Sequence, residues 1–118
     1  MIAKVDVSKL RRKYRSEVER QFGEEVGQLV IYEYCGERVA WMGFEDITFN
    51  LPTKYTPDFP FVLQDGRCGF VEVKNSRKQK GYRATRTKLV SAAYCYPWFL
   101  WLECVKEQGW AIEEIRTE

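Results

Sequence analysis

The sequence has no histidine among its 118 residues. This absence excludes Ser-His-Asp triads, histidine general bases and histidine-ligated metal sites. The four cysteines, at positions 35, 68, 95 and 104, are far apart and form no Cys-x-x-Cys pair. They therefore predict no zinc site, and we interpret them as reduced, mostly buried thiols. Any catalysis must use carboxylates, lysine, tyrosine or a hard metal ion.

Long apolar runs are also missing, since no stretch of eighteen apolar residues occurs. The N-terminal segment Met1–Lys13 is polar and basic and lacks the apolar core of a signal peptide. These absences argue against membrane insertion and secretion, so we expect a cytoplasmic protein with no membrane partner.

The composition is globular, with 45% hydrophobic and 31% charged residues, a balance that favours folding over disorder. A chain of 118 residues can bury one core but not two independent ones. The sequence therefore predicts a single domain over residues 1–118.

Basic charge is concentrated in one part of the chain, because Val73 to Leu102 contains seven cations and no acid. Such a segment could simply form a surface exposed to solvent. However, its like charges repel one another, and a bound polyanion would relieve this repulsion. DNA phosphates are the favoured partner, and their contacts should weaken steeply with salt. The predicted DNA-binding residues are Arg15, Arg77, Lys78, Lys80, Arg83, Arg86 and Lys88.

Hydrophobic spacing predicts the first half of the chain only in part. Apolar residues recur every three or four positions over Val7–Val26, which indicates a helix with Gly23 or Gly27 near its end. Two segments rich in β-branched and aromatic residues, Gln28–Tyr34 and Asp46–Leu51, are interpreted as strands. The segment between them stays ambiguous.

The second half has clearer signals. Tyr55–Leu63 and Cys68–Lys74 flank an Asp-Gly turn and predict a β-hairpin. Good helix formers predict a helix over Tyr82–Tyr94. Trp98–Val105 and Trp110–Arg116 suggest a terminal hairpin, with a short helix as the alternative to its second strand. Aromatic residues of this hairpin could stack on bases, but we favour a place in the core: Trp98, Phe99, Trp101 and Trp110.

The segment that points to chemistry is Thr56-Pro57-Asp58, separated by thirteen residues from Glu72-Val73-Lys74. Alternate side chains of a strand share a face, so Glu72 and Lys74 should point together. The preceding hairpin strand can bring Asp58 opposite Glu72. Two carboxylates and an ammonium group around one small space predict a hard-cation site.

Magnesium suits this set of residues, because Mg²⁺ prefers oxygen ligands and retains several waters. Asp58, Glu72 and the Val73 carbonyl could hold it, while Lys74 could orient the attacking water and neutralise charge on phosphorus. Glu19, at the border of the first helix's apolar stripe, could complete the site. Glu17 is the rival carboxylate, and helical phase alone does not decide between the two.

A Pro-Asp, an intervening segment of this length and a Glu-x-Lys resemble the PD-(D/E)xK nuclease superfamily, over about Tyr14 to Leu102. More narrowly, the segments Tyr14–Glu19, Tyr55–Phe59 and Phe70–Lys74 are similar to the phage endonuclease I family of Holliday-junction resolvases. The longer stretch from residue 35 to residue 50 and the aromatic terminal hairpin depart from that family.

The resemblance implies an α/β fold of the restriction-endonuclease-like type, a mixed β-sheet flanked by helices. It implies Mg²⁺-dependent hydrolysis of DNA, with Mn²⁺ able to substitute, and Glu19, Asp58, Glu72 and Lys74 as the catalytic residues. Branched DNA is the expected substrate, a homodimer the expected assembly, and the host cytoplasm the expected location if the protein comes from a phage or mobile element. Two alternatives stay open: a sequence-specific nicking or restriction-type endonuclease, and a non-catalytic DNA-binding module with a relic nuclease site.

Overall fold

A computed structural model describes residues 14–116 of the chain. It has a mixed five-stranded sheet with helices, which confirms the predicted α/β class. Every helix within residues 14–116 is too short or too polar to span a lipid bilayer. The elements, in chain order, are α1 (Glu17–Gln21), the π-helical turn π1 (Phe22–Val26), α2 (Gly27–Cys35), β1 (Val39–Met42), β2 (Phe59–Leu63), β3 (Cys68–Lys74), α3 (Tyr82–Cys95), β4 (Leu100–Glu107) and β5 (Gly109–Glu114).

The strands lie in the order β1-β2-β3-β4-β5. All neighbours are antiparallel except β3 and β4, which are parallel, because α3 carries the chain back across the sheet between them. Both predicted hairpins, β2–β3 and β4–β5, are confirmed, as is the helix between them. The last element is a strand, so the short-helix alternative for this segment is wrong.

The two faces of the sheet carry separate apolar clusters, since side chains alternate along each strand. Val71 and Val73 pack with Phe22 of π1 on one face. Phe70 packs with Leu89 of α3 on the other face. The residues that alternate with the two valines in β3 therefore face α3.

The prediction of a strand over Gln28–Tyr34 is wrong, because these residues belong to α2. Helical structure runs without a break from Glu17 to Cys35, and Gly36 ends it with a left-handed φ of 72°. Burial of Val30 and Ile31 against the sheet outweighs the strand preference of β-branched residues. The part of the predicted first helix that precedes Tyr14 lies outside the described residues.

Gly23 and Gly27 do not end the helix but allow close packing within it. A Cβ atom on Gly23 would lie 2.7 Å from the Tyr14 ring and 2.9 Å from the Phe59 ring. A Cβ atom on Gly27 would lie 2.8 Å from the Phe22 ring. The glycines therefore let this helical segment approach aromatic side chains beside the start of β2.

The predicted strand over Asp46–Leu51 is reduced to one antiparallel bridge between Phe49 and Tyr55, so most of this prediction is wrong. The ambiguous segment before it contains the edge strand β1. The aromatic residues of the terminal segment divide between core and surface. Trp101 is fully buried, as predicted, whereas Trp98 is 71% exposed and does not belong to the core.

Candidate active site

Asp58 immediately precedes β2 and is buried, with 5% of its surface exposed. The β2–β3 register pairs Phe59 with Val71, so one residue further along it places Asp58 opposite Glu72. One carboxylate oxygen of Asp58 accepts a hydrogen bond of 2.8 Å from the Val73 backbone N–H. The same carboxyl group lies within hydrogen-bonding reach of Glu72.

Glu72 and Lys74 share the face of β3 that meets α3, as the strand alternation predicts, and both are buried. The Lys74 ammonium lies 3.5 Å from Glu72 Oε2. The Tyr55 hydroxyl donates a hydrogen bond of 2.7 Å to Glu72 Oε1. Each oxygen of this carboxylate therefore has a partner that fixes its orientation.

Val73 presents its backbone to the same place. Two residues beyond the Phe59–Val71 pair, the register puts Pro57 opposite Val73. Proline has no backbone N–H, so it cannot donate a hydrogen bond to the Val73 carbonyl. The Pro-Asp sequence thus ends the hydrogen bonding between β2 and β3 at Val73, whose carbonyl is the one expected to bind the metal ion.

Glu19, and not Glu17, faces the candidate site. Glu19 lies in α1 and lines the same cavity as Asp58 and Glu72. Its Oε2 accepts a hydrogen bond of 3.1 Å from the Arg15 backbone N–H. Glu17 has a side chain that is 76% exposed and pairs with Arg20 at 2.6 Å. The helical phase in the folded chain distinguishes the two carboxylates.

The cavity has a volume of about 340 Å³ and is lined almost entirely by polar side chains. Sequence reasoning named six of its ten lining residues and missed the other four. Thr85 could have been found, because it lies three residues before Lys88 on one face of a helix, whereas the loop residues had no periodic signal. The missed residues are Lys54, Tyr55, Thr56 and Thr85.

Burial raises the pKa of Asp58 well above its usual range, and the nearby carboxylates of Glu72 and Glu19 raise it further. The hydrogen bond from Val73 N–H acts in the opposite direction. Tyr55 also has a raised pKa, because of its burial and the charge of Glu72. Three carboxylates thus face one space in which a cation would relieve their repulsion.

The raised pKa of Asp58 makes stability depend on pH in a defined direction. The folded state binds this proton more tightly than the unfolded chain, so the contribution is full below the ordinary carboxyl pKa of 3.8. This contribution to stability is lost as the pH rises from the ordinary carboxyl pKa to the raised pKa of Asp58 in the folded state. The slope is at most about 1.4 kcal/mol per pH unit. Without metal, wild type should therefore gain stability relative to Asp58→Asn on acidification.

Urea unfolding of both proteins in EDTA, from about pH 8 to about pH 5, measures this difference. Other carboxylates, such as Glu113 and Glu114, have lowered pKa values, so their protonation on acidification lowers the stability of the folded protein. This effect is common to both proteins and cancels in the comparison. Parallel stability curves for the two proteins would contradict the assignment.

The predicted DNA-binding cations fall into two groups. Lys78, Lys80 and Arg83 are exposed and form no ion pair with the acids of residues 14–116. Lys88 lines the carboxylate cavity, as does Arg15, whose guanidinium also lies 3.2 Å from Glu45. These five residues remain placed to contact a polyanion.

Arg77 and Arg86 have protein partners that the sequence did not suggest. Arg77 pairs with Glu107 at 2.8 Å. Arg86 pairs with Glu103 at 3.0 Å and with Glu113 at 2.6 Å. The acid-free segment of the sequence is therefore partly neutralised in the folded chain by carboxylates of the terminal hairpin.

Glu103 is a fully buried carboxylate that sequence reasoning missed. It lies on β4 beside Glu72 of β3. Its Oε1 accepts hydrogen bonds from the Tyr82 hydroxyl at 2.8 Å and from Arg86 at 3.0 Å, while Oε2 has no partner within the described residues. This contact connects α3 to the sheet next to the cavity.

The donor set fits a hard divalent cation bound with few protein ligands. Among residues 14–116, no three acidic, cysteine or histidine side chains converge as a ready metal cage. Mg²⁺ commonly uses one or two carboxylates and keeps several waters, which matches Asp58, Glu72 and the Val73 carbonyl. The cavity is lined by both carboxylate oxygens and ammonium groups, a combination that can accommodate a metal ion and a phosphate.

The candidate active site thus combines buried carboxylates, a buried lysine and nearby free cations in one open cavity. A scan of the chain against protein-family models found no match, and searches of curated proteins and of solved structures found none either.

Proposed function

We propose that this protein is a metal-dependent DNA endonuclease that hydrolyses phosphodiester bonds. The observation that carries the proposal is the burial of Asp58, Glu72 and Lys74 together at one cavity. A buried carboxylate pair with a lysine is costly to fold. A cleft that holds buried titratable groups, among them Asp58 with its raised pKa, is a candidate for function rather than for stability.

Mg²⁺ would be held by Asp58, Glu72 and the Val73 carbonyl, with Glu19 beside it. When bound, the ion polarises a phosphoryl oxygen and lowers the pKa of water. Tyr55 keeps Glu72 oriented through its hydrogen bond of 2.7 Å. Val73 N–H does the same for Asp58 at 2.8 Å.

Lys74 supplies the compact positive charge of the site. Its ammonium can donate to the water that attacks phosphorus and can offset charge on the phosphate oxygens as the bond forms. The pairing with Glu72 at 3.5 Å limits where the ammonium can lie. Because the side chain is buried, this charge is screened less than a surface lysine would be.

DNA is the proposed substrate because unpaired cations surround the carboxylates. Lys54 and Lys88 line the cavity and form no ion pair within the described residues. Lys78, Lys80 and Arg83, which lie at or just before the start of α3, are also exposed. Such cations bind phosphates with little dependence on sequence.

We further propose that the substrate is branched DNA. With this go a restriction-endonuclease-like fold and membership of the PD-(D/E)xK superfamily. This proposal is supported by the motif resemblance and by the Pro-Asp hairpin beside a Glu-x-Lys strand. Flexible junctions enter a charged groove at less deformation cost than stiff duplex DNA. Cutting two strands would favour a homodimer.

The two carboxylates of α1 provide a matched test. Glu19→Gln is expected to slow cleavage by about 10–100-fold, the usual cost of losing a supporting metal-site group. Glu17→Gln should cleave like wild type, because Glu17 is exposed and pairs with Arg20. The assay uses a labelled four-way junction and a matched linear duplex, with Mg²⁺ or with EDTA.

The same assay distinguishes the rival functions. Junction cutting that needs Mg²⁺ supports the resolvase-like proposal, and cutting of the linear duplex at one sequence favours a nicking or restriction-type enzyme. Tight binding without cutting by any variant would overturn the enzyme proposal and leave a DNA-binding module. An equal loss for Glu17→Gln and Glu19→Gln would contradict the assignment of Glu19.

A further inference from the structure

A second cavity, of about 240 Å³, adjoins the candidate active site. It lies between the loop before Tyr55 and the side of α3, and it shares Lys88 with the carboxylate cavity. Lys54 of the active site directly follows Thr53 of the second cavity. The lining residues are Leu51, Pro52, Thr53, Thr87, Lys88 and Ser91.

We propose that this second cavity binds one unpaired DNA base next to the phosphate that is cut. The proposal rests on the proposed function, because the DNA strand must pass the carboxylate site to reach the cavity. The cavity is smaller than the roughly 300–1,000 Å³ of pockets for drug-sized ligands. It therefore suits a ligand of one or two rings.

The lining matches the chemistry of a base. Leu51 and Pro52 offer apolar surface for the faces of a ring. The Ser91 and Thr53 hydroxyls form no hydrogen bond within residues 14–116, so they can bond to the ring edge. A hydroxyl group can donate a hydrogen bond to an acceptor atom of a base or accept one from a donor.

Lys88 explains why the occupant should be a nucleotide and not an uncharged ring. Its side chain lines both cavities and has no carboxylate partner among the described residues. A phosphate held by Lys88 and Lys54 has its own base attached a few bonds away. The positive charge thus binds the backbone while the neighbouring cavity receives the base.

This pocket would select DNA by the state of its bases. Removing a base from a duplex stack costs energy, and the cost is least for mismatched or unpaired bases. DNA with an unpaired nucleotide at the cut, such as a bulge or a single-stranded end, should therefore be preferred over perfect duplex.

The test places the fluorescent base 2-aminopurine at successive positions of a one-nucleotide bulge and its flanks, and measures emission when Asp58→Asn protein binds. Asp58→Asn is used so that the DNA stays intact. Emission should rise at one position, because the base leaves the stack and the cavity has no aromatic lining to quench it. Ser91→Leu in the same background should abolish the rise by filling the cavity.

Val90→Leu is the matched control, since Val90 is the exposed neighbour of Ser91 on α3, and its emission should follow that of the parent. In proteins that retain Asp58, Ser91→Leu should reduce the preference for bulged over paired DNA by about tenfold, the order of one lost hydroxyl hydrogen bond to the base. Unchanged emission at every position, or an equal rise in Ser91→Leu, would overturn the base pocket even if cleavage is normal. A rise without cleavage by wild type would support the pocket and reject the nuclease proposal.

Discussion

Asp58→Asn is expected to reduce metal-dependent DNA cleavage by about a thousandfold, the upper range for losing one electrostatic group in an active site. The substitution removes the negative charge that would hold the cation. Asparagine keeps a side-chain oxygen that can still accept the 2.8 Å hydrogen bond from Val73 N–H. The fold should therefore persist, and fluorescence anisotropy should show that DNA still binds.

Asp65→Asn is the matched control for this experiment. Asp65 lies at the turn of the same β2–β3 hairpin, where its carboxylate pairs with Arg67 at 2.9 Å on the surface. It should cleave at the wild-type rate. Single-turnover kinetics with Mg²⁺ measure both variants, and a metal titration followed by thermal unfolding should show stabilisation of wild type but not of Asp58→Asn. Undiminished cleavage by Asp58→Asn would refute the proposed site.

Arg86→Met should destabilise the fold by about 3 kcal/mol, the lower end of the usual cost of removing one partner from a buried ion pair. Glu103 is fully buried, and only the Tyr82 hydroxyl would remain as its partner. Partial exposure of Arg86, at 28% of its side chain, keeps the expected cost from being larger. Urea unfolding measures the loss.

Arg83→Met separates this structural role from DNA contact. Arg83 is exposed, lies three residues earlier in α3 and forms no ion pair within the described residues. It should unfold like wild type but bind DNA more weakly and with a smaller salt dependence. Equal stability of Arg86→Met and Arg83→Met would contradict the role assigned to the Arg86–Glu103 pair. Adding Glu103→Leu to Arg86→Met should recover part of the lost stability, since an apolar side chain replaces the buried charge.

Local signals predicted the parts of the fold that local interactions determine. The Asp-Gly turn and strand alternation sufficed for β2–β3, and this register brings Asp58 beside Glu72. They failed for Gln28–Tyr34, because its β-branched residues favour a strand in isolation while burial against the sheet makes them helical. No local pattern distinguishes these outcomes.

The candidate site also combines features that local sequence determines with features that depend on tertiary packing. The Glu-x-Lys spacing is a property of one strand, so it was readable in the sequence. The pairing of Arg86 with Glu103 and Glu113 joins α3 to the terminal hairpin. Such contacts depend on how distant segments meet, and charge along the chain cannot reveal them. Ion pairs with residues distant in the sequence explain why only some cations of the basic segment are free to bind phosphate.

The π-helical turn Phe22–Val26 has a consequence for comparing this chain with relatives. A π-turn accommodates one residue more than an α-helix would, and each residue of an α-helix turns the chain by about 100°. A relative lacking that extra residue could keep every motif letter, including the counterpart of Glu19. If its α2 kept the same packing, that glutamate would point away from the site. Intact motifs in an alignment would then accompany an incomplete active site, and the length of this helix would be the feature that reveals it.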